Sequence, residues 1–287
     1  MVSLNEIFPL GIGTFRIDES DPAVVERGLR HSLERGQNFL STGFSYGKGA
    51  AVECLQKFFP TVDREKIFLC TYVETDIREI GDVEKQLDGY LKALGTDYVD
   101  CFQTHHCVTM PLPLEEVYAE IRRLRDAGKV RYVGLSNASP EMLQQLNGPG
   151  DIAFFEGLYN FECRTYQNNG LLDTCRQKDI RFVCYQPLRR NRTAAKNYPL
   201  LVELAEKYGY NQNQIVLNWV LRHLQLQAIV KSLTPANIDG NLAAMDFVME
   251  AEDYARMDAF RSEVCEAIPL NWGSGVGVTI DPLANQF

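Results

Sequence analysis

Eight short apolar runs, each followed by a stretch of helical character, succeed one another along nearly the whole chain, and this alternation limits the fold more than any other feature. The runs are LGIGTF (10–15), NFLST (38–42), KIFLCTYV (66–73), YVDCFQT (98–104), VRYVGLS (130–136), IAFFEGL (152–158), IRFVCYQ (180–186) and AIVKS (228–232). Their β-branched and aromatic content predicts strands. The intervening stretches are amphipathic, for example DVEKQLDGYLKALG (82–95) and LEEVYAEIRRLRDAGK (114–129). The second ends on Gly128 and Lys129, residues that stop a helix. Ser139 before Pro140 and Thr234 before Pro235 predict capped helix starts, and Asn211 with Gln214 predicts a capping box. Eight strand–helix units match a (β/α)8 TIM barrel of the α/β class. An open doubly wound sheet has about five to seven strands and a glycine-rich first turn, whereas GIGTFRIDES lacks G-x-G-x-x-G. A barrel also fits 287 residues into a single domain, 1–287, where length alone would suggest two.

The chain carries 29 basic and 38 acidic residues, a net charge of −9, which argues against nucleic acid or an anionic membrane as a partner. No stretch reaches 18 consecutive apolar residues. Eight cysteines are scattered singly, without a C-x-x-C pair and in several cases inside apolar runs. They read as reduced core residues of a cytoplasmic protein.

In a barrel of this type chemistry belongs at the C-terminal ends of the strands. Those ends carry Thr14, Ser41 and Thr42, Tyr72, His105 and His106, Ser136 and Asn137, Glu156, Tyr185 and Gln186, and Lys231 and Ser232. A metal site is not expected, because adjacent residues on a strand point to opposite faces and His105 and His106 would not share one ion.

The pieces LGIGTF, NFLSTGFSYGKG, GTDYVDCFQTHH, AGKVRYVGLSN, LYNFECR, YQPL and IVKSLTPANIDGN, in this order and spacing, resemble the aldo-keto reductase family from about residue 8 to about residue 262. The resemblance implies an oxidoreductase that binds a nicotinamide cofactor across the barrel mouth and reduces a small-molecule substrate. The family's catalytic tyrosine corresponds to Tyr46 and its histidine to His105, while its aspartate and lysine positions hold Ser41 and Tyr72. For the cofactor, the resemblance assigns Ser136, Asn137 and Glu156 to the nicotinamide carboxamide, with Glu156 where a glutamine is usual. Tyr185 is the stacking ring, with Thr14, Gln186 and Leu188 beside it. Lys231, Ser232, Asn237 and Asn241 take the adenosine-phosphate end, and the loop bearing Arg189, Arg190 and Arg192 crosses the pyrophosphate. Asn237 replaces an arginine that grips the 2′-phosphate. NADPH is the expected cofactor, through Lys231, with NADH as an alternative. The tail 266–287 is expected near the barrel mouth.

Adding hydride to a neutral carbonyl creates alkoxide character, which needs a proton donor. In the family a buried ammonium lowers the phenol's pKa and a carboxylate anchors the ammonium. With Ser41 and Tyr72 both charges are gone together. Three readings stay open: an imine reductase acting on a cationic C=N group, an ordinary but slow carbonyl reductase, and a cofactor-binding pseudoenzyme or accessory protein without turnover. An imine substrate is unstable, so the first reading implies a partner enzyme that supplies it.

Overall fold

The computed structural model describes residues 1–262. The tail 266–287 and Cys265 lie outside the described residues. Eight strands form the barrel: β1 (Leu10–Gly13), β2 (Phe39–Ser41), β3 (Phe68–Val73), β4 (Val99–Thr104), β5 (Val130–Ser136), β6 (Ile152–Leu158), β7 (Arg181–Tyr185) and β8 (Gln227–Val230). They pair in chain order, all parallel, and β8 closes onto β1 through Leu10–Ala228 and Ile12–Val230. All eight expected strands are present, and β5 and β6 keep their expected limits. The runs at 10–15 and 228–232 overshoot because Thr14 and Lys231 already belong to loops at the barrel mouth.

Strands of a parallel barrel are buried on both faces, so they read as continuous apolar runs, and β3 and β4 are buried at every position. Period-two alternation then decides which side chains fill the barrel. Phe39, Phe68 and Phe154 meet near the N-terminal end, with centroids 5.7 Å apart for Phe39–Phe68 and 5.2 Å for Phe68–Phe154. Cys70, Cys101 and Val183 share this buried cluster. Two residues further along the same strands come Ser41, Tyr72, Gln103, Glu156 and Tyr185, which carry polar groups. A second apolar cluster lies between the strands and the outer helices.

The charged end below the aromatic layer is closed by Asp100. Its carboxylate accepts from Arg64 (2.7 Å), from the Leu69 amide (2.9 Å) and from Arg131. Arg131 and Arg181 in turn donate to the carbonyls of Val2 (2.8 Å) and Leu4 (2.6 Å), tying down the N-terminal segment.

Most expected helix signals hold. The helix Gly81–Leu94 matches its stretch within one residue. Leu114–Asp126 stops earlier than expected because Gly128, at φ 80°, closes a Schellman turn: its amide donates to the Arg125 carbonyl and that of Lys129 to Leu124. Ser139 caps the helix Pro140–Leu146 through the Met142 amide (3.2 Å), and Asn211 with Gln214 forms the capping box of Gln212–Asn218. Thr234 corrects one expectation. The helix Pro235–Leu242 starts behind it, yet its hydroxyl makes no cap hydrogen bond.

Of the seven described cysteines, all but Cys54 are buried. No described helix is long and apolar enough to cross a membrane. Because the Phe68 ring is fully buried between three other rings, Phe68→Ala should lower unfolding free energy by about 3–5 kcal/mol. Urea denaturation followed by far-UV circular dichroism measures this, and a loss under about 1 kcal/mol would mean that the interior repacks freely.

Candidate active site

At the mouth of the barrel lies a cavity of about 900 Å³. Thr14, Ser41, Tyr46, His105, Asn137 and Glu156 line its inner part, and Arg16, Leu188, Arg190, Arg192 and Lys231 line its outer part. The loop after β2 brings in Tyr46. Beyond Tyr46 the backbone is left-handed at Gly47, Lys48 and Gly49 (φ 59°, 55° and 98°). A Cβ at Gly47 would come within 2.5 Å of the Asp18 carboxylate, so this turn needs glycine for both conformation and space. It holds the Tyr46 ring edge-on to Phe15 (centroids 5.3 Å apart) and to His105 (5.6 Å).

At the cavity floor runs a hydrogen-bonded chain of buried side chains. Ser41 Oγ and Tyr72 Oη are 2.5 Å apart. The Tyr72 hydroxyl lies 2.9 and 3.1 Å from the two Glu156 oxygens, and Gln103 Nε2 donates to Glu156 at 2.7 Å. Tyr72 is fully buried and is not among the residues lining the cavity, which departs from its expected place in the pocket wall. Burial pushes the Glu156 carboxyl above its usual range, against the opposing help of Tyr72, His105 and Gln103. Burial, followed by the nearby Glu156 charge, pushes the phenols of Tyr46 and Tyr72 up.

Directly after its last residue, β3 supplies a group that the sequence reading missed. Glu74 Oε2 lies 2.7 Å from His105 Nδ1, and Glu74 Oε1 accepts from the Ser45 amide at 3.0 Å. Burial opposes its ionisation, but the hydrogen bonds from His105 and Ser45 and the charge on His105 outweigh that, and its carboxyl sits below the usual range. Glu74 follows the last residue of β3, Val73, directly, so a search that stopped at the strand end overlooked it. Gln103, on the inward face of β4, was also missed.

His105 and His106 were expected on opposite faces. They are stacked instead, with centroids 4.3 Å apart, and both line the cavity. The reason is that β4 ends at Thr104, so strand alternation no longer applies to them. Burial and the neighbouring His105 bring His106 down to about 4, which favours its neutral form. Among the described residues, no group of three or more His, Cys, Asp or Glu side chains is arranged to hold a metal ion.

At the exits of β5 and β7, Asn137 and Gln186 both adopt a left-handed φ of 52°. Asn137 donates to the His105 carbonyl (2.9 Å) and accepts from the Tyr185 hydroxyl (2.8 Å), which pins the Tyr185 ring in the cavity wall. Ser136 is buried and bonds Asn137 rather than facing the cavity. Lys231 lines the outer part of the cavity and reaches the Arg16 carbonyl at 3.2 Å. Ser232 and Asn241 line a separate, narrow recess, and Asn237 is exposed beyond both. Arg189 pairs with the buried Glu162, while Arg190 lies 4.9 Å above the Phe15 ring.

A closed eight-stranded barrel with these side chains at its mouth is joined by a match of residues 9–262 to the aldo/keto reductase family. The chain belongs to that family. Rho crystallin of Aquarana catesbeiana is 27% identical to it, over 87% of this chain and 86% of its own. The methylglyoxal reductase of Escherichia coli (strain K12) is also 27% identical, over 87% and 89%. Among solved structures, a thermostable aldo-keto reductase in complex with the inhibitor epalrestat has a TM-score of 0.79 at 28% identity, over 88% of this chain and 95% of that one. An aldo-keto reductase from Klebsiella pneumoniae in complex with NADPH has a TM-score of 0.80 at 25% identity, over 88% and 90%. The chain is therefore an aldo/keto reductase-family barrel, with the buried Ser41–Tyr72–Glu156 chain beneath its mouth.

The raised Glu156 has a consequence for stability. A carboxyl whose folded pKa lies above its unfolded value contributes stability at low pH, and that contribution is lost as pH rises through the folded value. Glu156→Gln should therefore stabilise the protein by about 1–2 kcal/mol at pH 7. Gln103 Oε1, buried without a partner, can accept from the new amide once the Gln103 side chain flips. The gain should shrink toward pH 4, as urea denaturation at the two pH values will show; a pH-independent difference would contradict the raised value.

Proposed function

We propose that this chain is an NAD(P)H-dependent reductase that delivers hydride to a small, polar C=N or C=O substrate, with the cationic C=N group preferred. The observation that carries the preference is the chain Ser41–Tyr72–Glu156: where the family resemblance calls for an aspartate and a lysine, the groups are a hydroxyl and a phenol bonded to a carboxylate. A neutral carbonyl gains negative charge as hydride arrives, and the buried Glu156 carboxylate disfavours that change. A protonated imine becomes neutral instead of anionic, and the same carboxylate helps to bind the cation and keep it protonated.

The residues present fit a nicotinamide dinucleotide. Tyr185, held by Asn137, offers a flat face in the inner part of the cavity. The outer part has the cations Arg16, Arg190, Arg192 and Lys231 to meet phosphates. A cavity of about 900 Å³ is ample for the extended molecule's reactive half. Ser136 acts through Asn137. Thr14, Gln186 and Leu188 contribute wall, and Ser232, Asn237 and Asn241 serve the adenosine end beyond the main cavity. The bound cofactor supplies the hydride. NADPH is the favoured form through Lys231, with Asn237 leaving NADH usable. Tyr46 and His105, whose rings are 5.6 Å apart, hold the reacting carbonyl or imine group between them. Ser41 and Tyr72 keep the space beneath filled and free of an ammonium. The working compartment is the cytoplasm, and an unstable imine would be supplied by a partner enzyme.

Fluorescence titration with NADPH and with NADH tests the cofactor site. Consumption of NADPH is then followed with a panel of aldehydes, and with α-keto acids plus ammonia. Binding without any turnover would favour an accessory role; aldehyde turnover well above that of the imine-forming mixtures would overturn the imine preference. In the double variant Ser41→Asp/Tyr72→Lys, aldehyde kcat/KM should rise by about 10²-fold as acid assistance to Tyr46 is restored, while turnover of the imine-forming mixtures falls. Unchanged selectivity would remove the electrostatic argument.

A further inference from the structure

We infer that Glu74 is a positioning residue that makes the imidazolium of His105 the proton donor of this site, with Tyr46 left to orient the substrate. The inference rests on the reductase reading given above and names a residue which that reading does not use.

Geometry carries it. Glu74 is fixed before it meets the histidine, because Oε1 takes the Ser45 amide at 3.0 Å while Oε2 faces His105 Nδ1 at 2.7 Å. Ser45 Oγ stands 3.3 Å from the same nitrogen. The ring cannot turn over without losing these partners, since Tyr72 stacks on one face (centroids 4.5 Å apart) and His106 is stacked 4.3 Å away. Nδ1 thus carries the proton shared with the carboxylate, and Nε2 points away from Glu74, on a residue that lines the cavity. A carboxylate–imidazole pair of this kind selects one tautomer and stabilises the charged ring. The titratable groups around His105 are Glu74 at the end of β3, Tyr72 within β3, Tyr46 on the loop after β2, His106 beside it and Glu156 behind Tyr72 on β6. Two of these are carboxylates, Glu74 in direct contact and Glu156 behind Tyr72. Tyr46 is poorly suited to give up a proton, since its phenol is buried in the field of Glu156.

In the proposed step the carbon of the C=X group accepts hydride from the reduced nicotinamide, and the π electron pair moves onto X. The Nε2–H bond of His105 breaks as an X–H bond forms, leaving neutral imidazole with its remaining proton on Nδ1 facing Glu74. Solvent then returns the proton to Nε2. When X is the nitrogen of an already protonated imine, that nitrogen needs no proton from His105, so the donor role applies to carbonyl and neutral imine substrates.

Two measurements test this. The first needs neither cofactor nor substrate. Long-range ¹H–¹⁵N correlation spectra of the protein distinguish ring tautomers, and four histidines are few enough to assign by single substitutions. Neutral His105 should be the Nδ1–H tautomer in the wild type and revert toward Nε2–H in Glu74→Ala; the same tautomer in both would overturn the inference. The second is the pH profile of kcat/KM with an aldehyde, whose own carbonyl does not titrate. Activity should fall on the alkaline side as the donor loses its proton, and Glu74→Gln should move that limb about one pH unit or more to lower pH. Glu74→Asp should restore part of the shift, and Tyr46→Phe should lower kcat without moving the limb. An unmoved limb in Glu74→Gln, or a limb that disappears in Tyr46→Phe, would overturn the inference. Thermal melts identify a variant that has merely unfolded, in which case Glu74→Gln replaces Glu74→Ala in the tautomer experiment. Failure of NADPH titration alone would sink the reductase reading and leave the tautomer result standing.

Discussion

The closure of eight parallel strands forces alternate side chains into one narrow interior, and everything at the mouth depends on what occupies each interior level. Near the N-terminal end that level is aromatic, with Phe39, Phe68 and Phe154 in mutual contact. Further along the strands it becomes polar, through Ser41, Tyr72, Gln103 and Glu156. A buried carboxylate at this depth is tolerable only because three donors reach it or its neighbours, and it remains harder to ionise than a carboxyl in water. The floor of the active site is therefore a polar network built on an apolar plug, with its charge opposite in sign to an ammonium.

That network and the rim above it share residues. Tyr72 bonds Ser41 and Glu156 below and stacks on His105 above. Asn137 links the His105 carbonyl to the Tyr185 hydroxyl, so the histidine corner and the aromatic wall across the barrel are joined by one amide. His105 is held on three sides, by Glu74, Tyr72 and the backbone bond to Asn137. Preorganisation of this kind is what a reductase needs, because each rotamer fixed before the reaction is one less to order in the transition state.

The cationic side chains at the mouth are distributed differently. The outer wall carries Arg16, Arg190, Arg192 and Lys231, on loops from β1, β7 and β8 that meet only at the mouth. Several of these loop residues take left-handed backbone conformations, including Arg16, Arg190 and Asn191. On these loops Arg16 pairs with Glu19, Arg189 with Glu162, and Arg190 lies over the Phe15 ring.

Much of this was legible from the residues in order. Parallel strands buried on both faces leave unbroken apolar runs, which is why all eight strands could be located and why His105, Asn137, Glu156 and Tyr185 could be placed at the mouth, whereas Tyr46, on the loop after β2, was placed there by the family resemblance. Capping residues such as Ser139 and Asn211 act through neighbours three positions away, so local sequence determined those helix starts too. What lay out of reach was any contact between distant strand ends. Glu74 and His105 are separated by 31 residues, Tyr72 and Glu156 by 84, and only barrel closure brings each pair within a hydrogen bond. The stacking of His105 on His106 depended on where β4 stopped, a question of ladder pairing and not of composition. Sequence alone determined the repeat and the residues at most strand ends, because these follow from periodicity. Tertiary structure decided which carboxylate faces which ring, because that depends on the shear of a closed sheet and not on spacing along the chain.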